Sequence, residues 1–154
     1  MSELPSTSEP TTSPQKKSRS IWWLFLILAA VYVLFSLPKT DTIKWYSDLD
    51  AGLKEASRNN QFALVMFSSK GCPNCGKMKR EVFSTTEVRQ SLKNWAPIEI
   101  NVAKQTKTAQ TYMVNALPTF IIFTPTGREI KRFEGTRSTE EFVKIIKEAE
   151  KENP

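Results

Sequence analysis

Cys72 and Cys75 are the only two thiols in a chain of 154 residues, and they stand in the run Gly71-Cys72-Pro73-Asn74-Cys75-Gly76. Two intervening residues on a first helical turn bring the sulfurs close enough for a short-loop disulfide. Cys75 can then attack a mixed disulfide at Cys72 and release product. A thiol at a helix start meets unsatisfied N–H groups and the positive end of the helix dipole, which favour the thiolate at Cys72, and Lys70, Lys77 and Lys79 add positive charge nearby. Pro73 suits a first turn, where a missing N–H costs little.

Two inert readings compete with this chemistry. Zinc needs about four ligands, and a chain with no histidine and no further cysteine would have to recruit unusual carboxylates. A purely structural disulfide across two residues closes too small a loop to stabilise much. The absence of histidine also removes Ser-His-Asp and Cys-His catalysis and histidine-based pH switching. The pair therefore reads as a redox dithiol that needs no metal and no cofactor beyond its own disulfide.

The elements around the pair form an alternating pattern. The run Phe62 to Phe67 (FALVMF) is continuously apolar, as in a strand buried on both faces, and the helix that follows is predicted to begin near Cys72 and run past Lys79. Upstream, Thr42 to Tyr46 reads as a short strand, with Ser47 as the N-cap of a helix bearing Leu49, Leu53 and Ala56 on its apolar face. Downstream come a short helix beginning around Ser84 to Thr86 with Val88 and Leu92 inward, a strand at Pro97 to Val102, and a helix at Thr108 to Val114 facing inward through Ala109, Tyr112 and Met113. A strand at Thr119 to Thr124 and a hairpin partner at Arg128 to Phe133 follow, joined through Pro125-Thr126-Gly127. Ser138 and Glu141 make a capping box for a last helix with Phe142, Ile145, Ile146 and Ala149 on one face. The order β-α-β-α-α-β-α-β-β-α predicts an α/β domain over residues 38–154 with parallel central strands and a terminal hairpin.

The amino-terminal part differs in kind. Residues 1–20 are rich in Ser, Thr and Pro and read as a disordered cytoplasmic tail. Residues 21–37, IWWLFLILAAVYVLFSL, carry no charge and are apolar on every helical face, which predicts an uncleaved transmembrane signal anchor rather than a core helix or a cleaved signal peptide. Trp22 and Trp23 fit an interfacial belt. Lys16, Lys17 and Arg19 precede the run and Lys39 alone closely follows it, so the N-terminus is expected on the cytoplasmic side. The 22 Lys and Arg against 16 Asp and Glu give a net charge of +6, which suits a solvated surface and contact with anionic lipid. No motif supports nucleic-acid binding.

The residues FALVMFSSKGCPNC, Ala116-Leu117-Pro118-Thr119-Phe120, Gly127 and Phe133-Glu134-Gly135 give the chain its resemblance to the thioredoxin family over nearly all of residues 41–150. TIKWYSDLDAGLKEA and VFSTTEV resemble, more narrowly, the periplasmic thioredoxin-like domain of DsbD-type disulfide-reducing electron carriers. The resemblance implies a thioredoxin-like fold with a central mixed sheet. It also implies a thiol–disulfide oxidoreductase with Cys72 as attacking thiol and Cys75 as resolving thiol. Gly71, Pro73 and Asn74 would form the active-site loop, and Pro118 would be the family's cis-proline, with Leu117 offering its backbone to a substrate strand. Partners implied are protein disulfides or a redox carrier, in the periplasm of a bacterial inner membrane. Four positions depart from the pattern: Gly71 replaces a common tryptophan, Pro73-Asn74 replaces Gly-Pro, and Met66 occupies the place of a buried acid. A disulfide oxidase or isomerase, or a non-catalytic binding module, would use the same scaffold.

Overall fold

The computed structural model describes residues 20–36 and 42–152. The chain divides into two units, Met1–Thr40 and Asp41–Pro154. In the first, among the described residues, helix α1 covers Ser20–Ser36, and its side chains from Trp22 to Val33 are exposed. At about 1.5 Å per residue its 17 residues reach roughly 25 Å, short of the ~30 Å of a bilayer core. Among the described residues no helix is long and apolar enough to cross a membrane. The span expected at 21–37 coincides with this helix as far as Ser36. Leu37, Lys39 and the tail before Ser20 lie outside the described residues.

In the second unit, β1 (Phe62–Ser68) lies at the centre of a four-stranded sheet because its apolar residues alternate between two cores. Ala63, Val65 and Phe67 point to one face and Leu64 and Met66 to the other. β2 (Trp95–Asn101) pairs with it in parallel, while β3 (Thr119–Phe123) and β4 (Glu129–Glu134) continue the sheet on its other side in the order β2-β1-β3-β4. β1 and β3 run antiparallel, as do β3 and β4. The central strands are thus not all parallel: one crossover through helices makes β2 parallel to β1, and the chain enters β3 from the opposite end.

α2 (Leu49–Arg58) and α5 (Thr106–Thr111) cover the face lined by Val65, Phe67, Ile98 and Ile121. The other face carries α3 (Pro73–Lys77), a π-helical turn at Met78–Val82, α4 (Thr86–Ser91) and α6 (Thr139–Lys151). α6 starts on the expected capping box: Ser138 Oγ accepts from the Glu141 N–H at 3.2 Å, and the Ser138 N–H donates to Glu141 Oε2 at 3.0 Å.

Three local expectations are corrected. Thr42 to Tyr46 does not form a strand. Only Tyr46 bridges to Ile98, and Trp45 instead packs edge-on against Phe83 with ring centroids 5.0 Å apart. The cap of α2 is Asp48, whose Oδ1 accepts from the Ala51 N–H at 2.8 Å, not Ser47. α5 begins earlier than expected and stops at Thr111, and Met113, expected inside, adopts a positive φ of 51° and is 73% exposed. The left-handed step turns the chain out of the helix and takes the Met113 side chain off the buried face.

Gly52 sets how closely α2 approaches the sheet. A Cβ there would lie 2.5 Å from both Cδ1 and Cγ1 of Ile98. Gly52→Ala is expected to lower stability by about 1–3 kcal/mol through overpacking, read as a reduced denaturant midpoint, and an unchanged midpoint would refute the close packing.

Candidate functional site

β1 ends at Ser68 and delivers the chain into a short loop that closes at Cys72, the N-cap of α3. Cys72 holds extended backbone at φ −86° and ψ 107°, and its Sγ accepts a hydrogen bond from the Cys75 N–H at 3.1 Å. The sulfur thus occupies the place of a capping oxygen, where helix N–H groups stabilise negative charge. Pro73 takes the first helical position, as its missing N–H allows. Cys72 and Cys75 are joined as a disulfide with Cα atoms 5.3 Å apart. Cys72 is half-buried and Cys75 is 2% exposed, so an incoming sulfur meets Cys72 first. Gly71, Pro73 and Asn74 form an exposed rim around it.

The Leu117–Pro118 peptide is cis. Pro118 is buried, Leu117 half-buried and Ala116 exposed. The Pro118 carbonyl accepts from the Gly135 N–H at 2.8 Å, and Gly135 takes a φ of +78°, which a side chain would strain. Thr119 Oγ1 donates to the Ala116 carbonyl at 2.7 Å. Among the described residues no hydrogen bond engages the Leu117 N–H or carbonyl. The neighbouring backbone is tied down while Leu117 keeps a free donor and acceptor.

A cavity of 330 Å³ opens beside the disulfide and is lined by Ser68, Cys72, Cys75, Lys79, Glu99 and Asn101, among others. Lys79, expected to add positive charge for the thiolate, lines this cavity with both cysteines, and its ammonium pairs with Glu99 Oε1 at 2.6 Å, while the Ser68 hydroxyl donates to the same oxygen at 2.5 Å. Lys77 lies 4.0 Å from the Glu81 carboxylate, both exposed. The grouping of Ser68 and Glu99 at the cysteines was missed in the sequence. Its one signal is the alternation in Ile98-Glu99-Ile100, which puts Glu99 on the face opposite the two isoleucines. A groove of 740 Å³ between α4 and α6 is lined by Thr85, Val143 and Lys147 among others and includes neither cysteine. Among the described residues no group of three or more Cys, Asp or Glu could hold a metal ion.

A mixed sheet covered by helices on both faces, with a Cys-Pro-Asn-Cys disulfide at a helix start, defines a thioredoxin-like oxidoreductase fold. The chain belongs to the thioredoxin-like domain family, whose model matches residues 49–150. Among solved structures it is similar to a thioredoxin from Thermus thermophilus, at 27% identity and a TM-score of 0.64, over 70% of this chain and 87% of that one. It shares its fold with a DsbH oxidoreductase, at 16% identity and a TM-score of 0.62, over 71% of this chain and 85% of the other. A poplar thioredoxin h shares it at 23% identity and a TM-score of 0.56, over 65% and 86%. No curated protein sequence matches the chain. The family fold supports thiol–disulfide oxidoreductase activity on protein thiols or redox partners.

Proposed function

We propose that the protein is a membrane-anchored, extracytoplasmic thiol–disulfide oxidoreductase that works as a reductase of protein disulfides or of another redox carrier. The observation that carries this is the asymmetric disulfide itself: Cys72 half-exposed at a helix N-cap, Cys75 buried behind it. In the reduced protein the Cys72 thiolate attacks a substrate disulfide, forming a mixed disulfide and expelling one substrate thiolate. Cys75 then attacks Cys72, forming the Cys72–Cys75 bond and releasing the second substrate thiol. Two electrons pass from the dithiol to the substrate, and a dithiol donor restores the reduced form. Leu117 offers its free N–H and carbonyl to an extended substrate segment, a mode that tolerates many side chains. Pro118 shapes that surface.

Attachment to a bacterial inner membrane rests on the uncharged, all-round apolar α1 and on the basic cluster Lys16, Lys17 and Arg19 before it. Snorkelling flanking side chains and local bilayer thinning can accommodate a short helix. This orientation leaves the tail cytoplasmic and the catalytic domain periplasmic.

The reduction potential of the Cys72/Cys75 couple separates reductase from oxidase. Thiol alkylation of the full chain in detergent, across a graded redox buffer, is expected to give a value near the ~ −270 mV of thioredoxin. A value near ~ −120 mV would make the protein an oxidant and reverse the proposed direction.

A further inference from the structure

Product release from Cys72 requires a thiolate at Cys75, and Cys75 is 2% exposed, so its proton needs an acceptor inside the site. Met66, buried on β1, offers only a thioether. Glu99 supplies the one carboxylate among the residues that line the cavity with both sulfurs. The sheet puts it there. β1 and β2 pair in parallel with Met66 beside Glu99, paired residues share a face, and Met66 packs in the same core cluster as Met78 just after α3.

The Glu99 carboxylate is also held in a defined way. Ser68 Oγ and Lys79 Nζ both donate to Oε1, at 2.5 and 2.6 Å, and Oε2 has no hydrogen-bond partner among the described residues. One oxygen is anchored and the other keeps its lone pairs. The π-helical turn at Met78–Val82 carries Lys79, and such turns recur at functional sites.

We propose that Glu99 is the proton acceptor for the Cys75 thiol during release of the mixed disulfide, with Ser68 and Lys79 as positioning residues; this rests on the dithiol-exchange reading above. Glu99 takes the Cys75 S–H proton, directly or through one cavity water. The sulfur's electron pair forms the Cys75–Cys72 bond, the bond from Cys72 to the substrate sulfur breaks, and its electron pair leaves on that sulfur. The departing thiolate takes a proton back from Glu99 or from water. The enzyme dithiol is oxidised and the substrate disulfide reduced.

Single-turnover reaction of the reduced full chain in detergent with a bis(nitrobenzoate) aromatic disulfide tests this. The first coloured thiolate reports attack by Cys72 and the second reports resolution by Cys75. Glu99→Gln is expected to leave the first phase unchanged and to slow the second at least about tenfold at pH 7. The deficit should close toward about pH 10, where hydroxide removes the thiol proton. Glu99→Asp should restore most of the rate, and Ser68→Ala, which removes one anchor, should slow the second phase by a smaller factor. An unchanged second phase in Glu99→Gln, or an equal slowing of both phases at every pH, overturns the role of Glu99. A wild-type protein that gives no first phase overturns the dithiol reading itself, and this proposal with it.

Discussion

Cys75→Ser is expected to trap the protein on its substrate. With the resolving sulfur gone, the Cys72 thiolate still attacks a disulfide, but no buried thiol follows to break the resulting bond. Covalent mixed disulfides should accumulate in cells and run as high-mass, reductant-sensitive species on non-reducing gels. Cys72→Ser should give none, because Cys75 at 2% exposure cannot meet a protein substrate. Both variants should lose multiple-turnover reductase activity to the uncatalysed rate. The contrast between them is diagnostic: equal trapping by both would remove the assignment of attacking and resolving roles. Full biological function in the double Cys→Ser variant would reduce the protein to a binding module.

Phe142→Ala is expected to carry the largest cost in stability. Phe142 is fully buried in the first turns of α6, and its ring meets Phe83 at 5.2 Å, Phe120 at 5.8 Å and Phe133 at 6.1 Å. These rings join α6, the loop after the π-helical turn, β3 and β4 in one cluster, with Phe120 and Phe133 stacked at 4.8 Å. Removing a buried phenylalanine loses its transfer free energy and leaves a cavity, together about 3–5 kcal/mol. Against a domain stability of about 5–15 kcal/mol this is a large fraction. Chemical denaturation followed by tryptophan fluorescence should show a strongly reduced midpoint, and a shift below about 1 kcal/mol would mean that the ring is not part of the core.

Much of the fold can be read along the chain because the relevant signals are local. The FALVMF run is apolar at every step and has the length expected of a strand buried on both faces, and Ser138 with Glu141 satisfies orphan N–H groups within one turn. The cysteine pair is likewise local, since three residues of helix geometry bring the two sulfurs together. Thr42 to Tyr46 misleads because its alternation is real but its pairing is not: only Tyr46 reaches β2, and Trp45 finds more apolar contact against Phe83. Met113 misleads because helical spacing continues in the sequence after the backbone has left the helix.

What the sequence by itself determined is the chemistry: one dithiol, no histidine, a strand before it and a helix after it. Those follow from residue identity and short-range geometry. The tertiary structure alone decided what surrounds the dithiol. The antiparallel entry of β3, the free backbone of Leu117 beside the cis Pro118, and the meeting of Ser68, Lys79 and Glu99 at the cysteine cavity all join residues far apart in the chain. Such meetings depend on which strand edges pair and in what register. That register is settled by the packing of two cores at once, which no local pattern encodes.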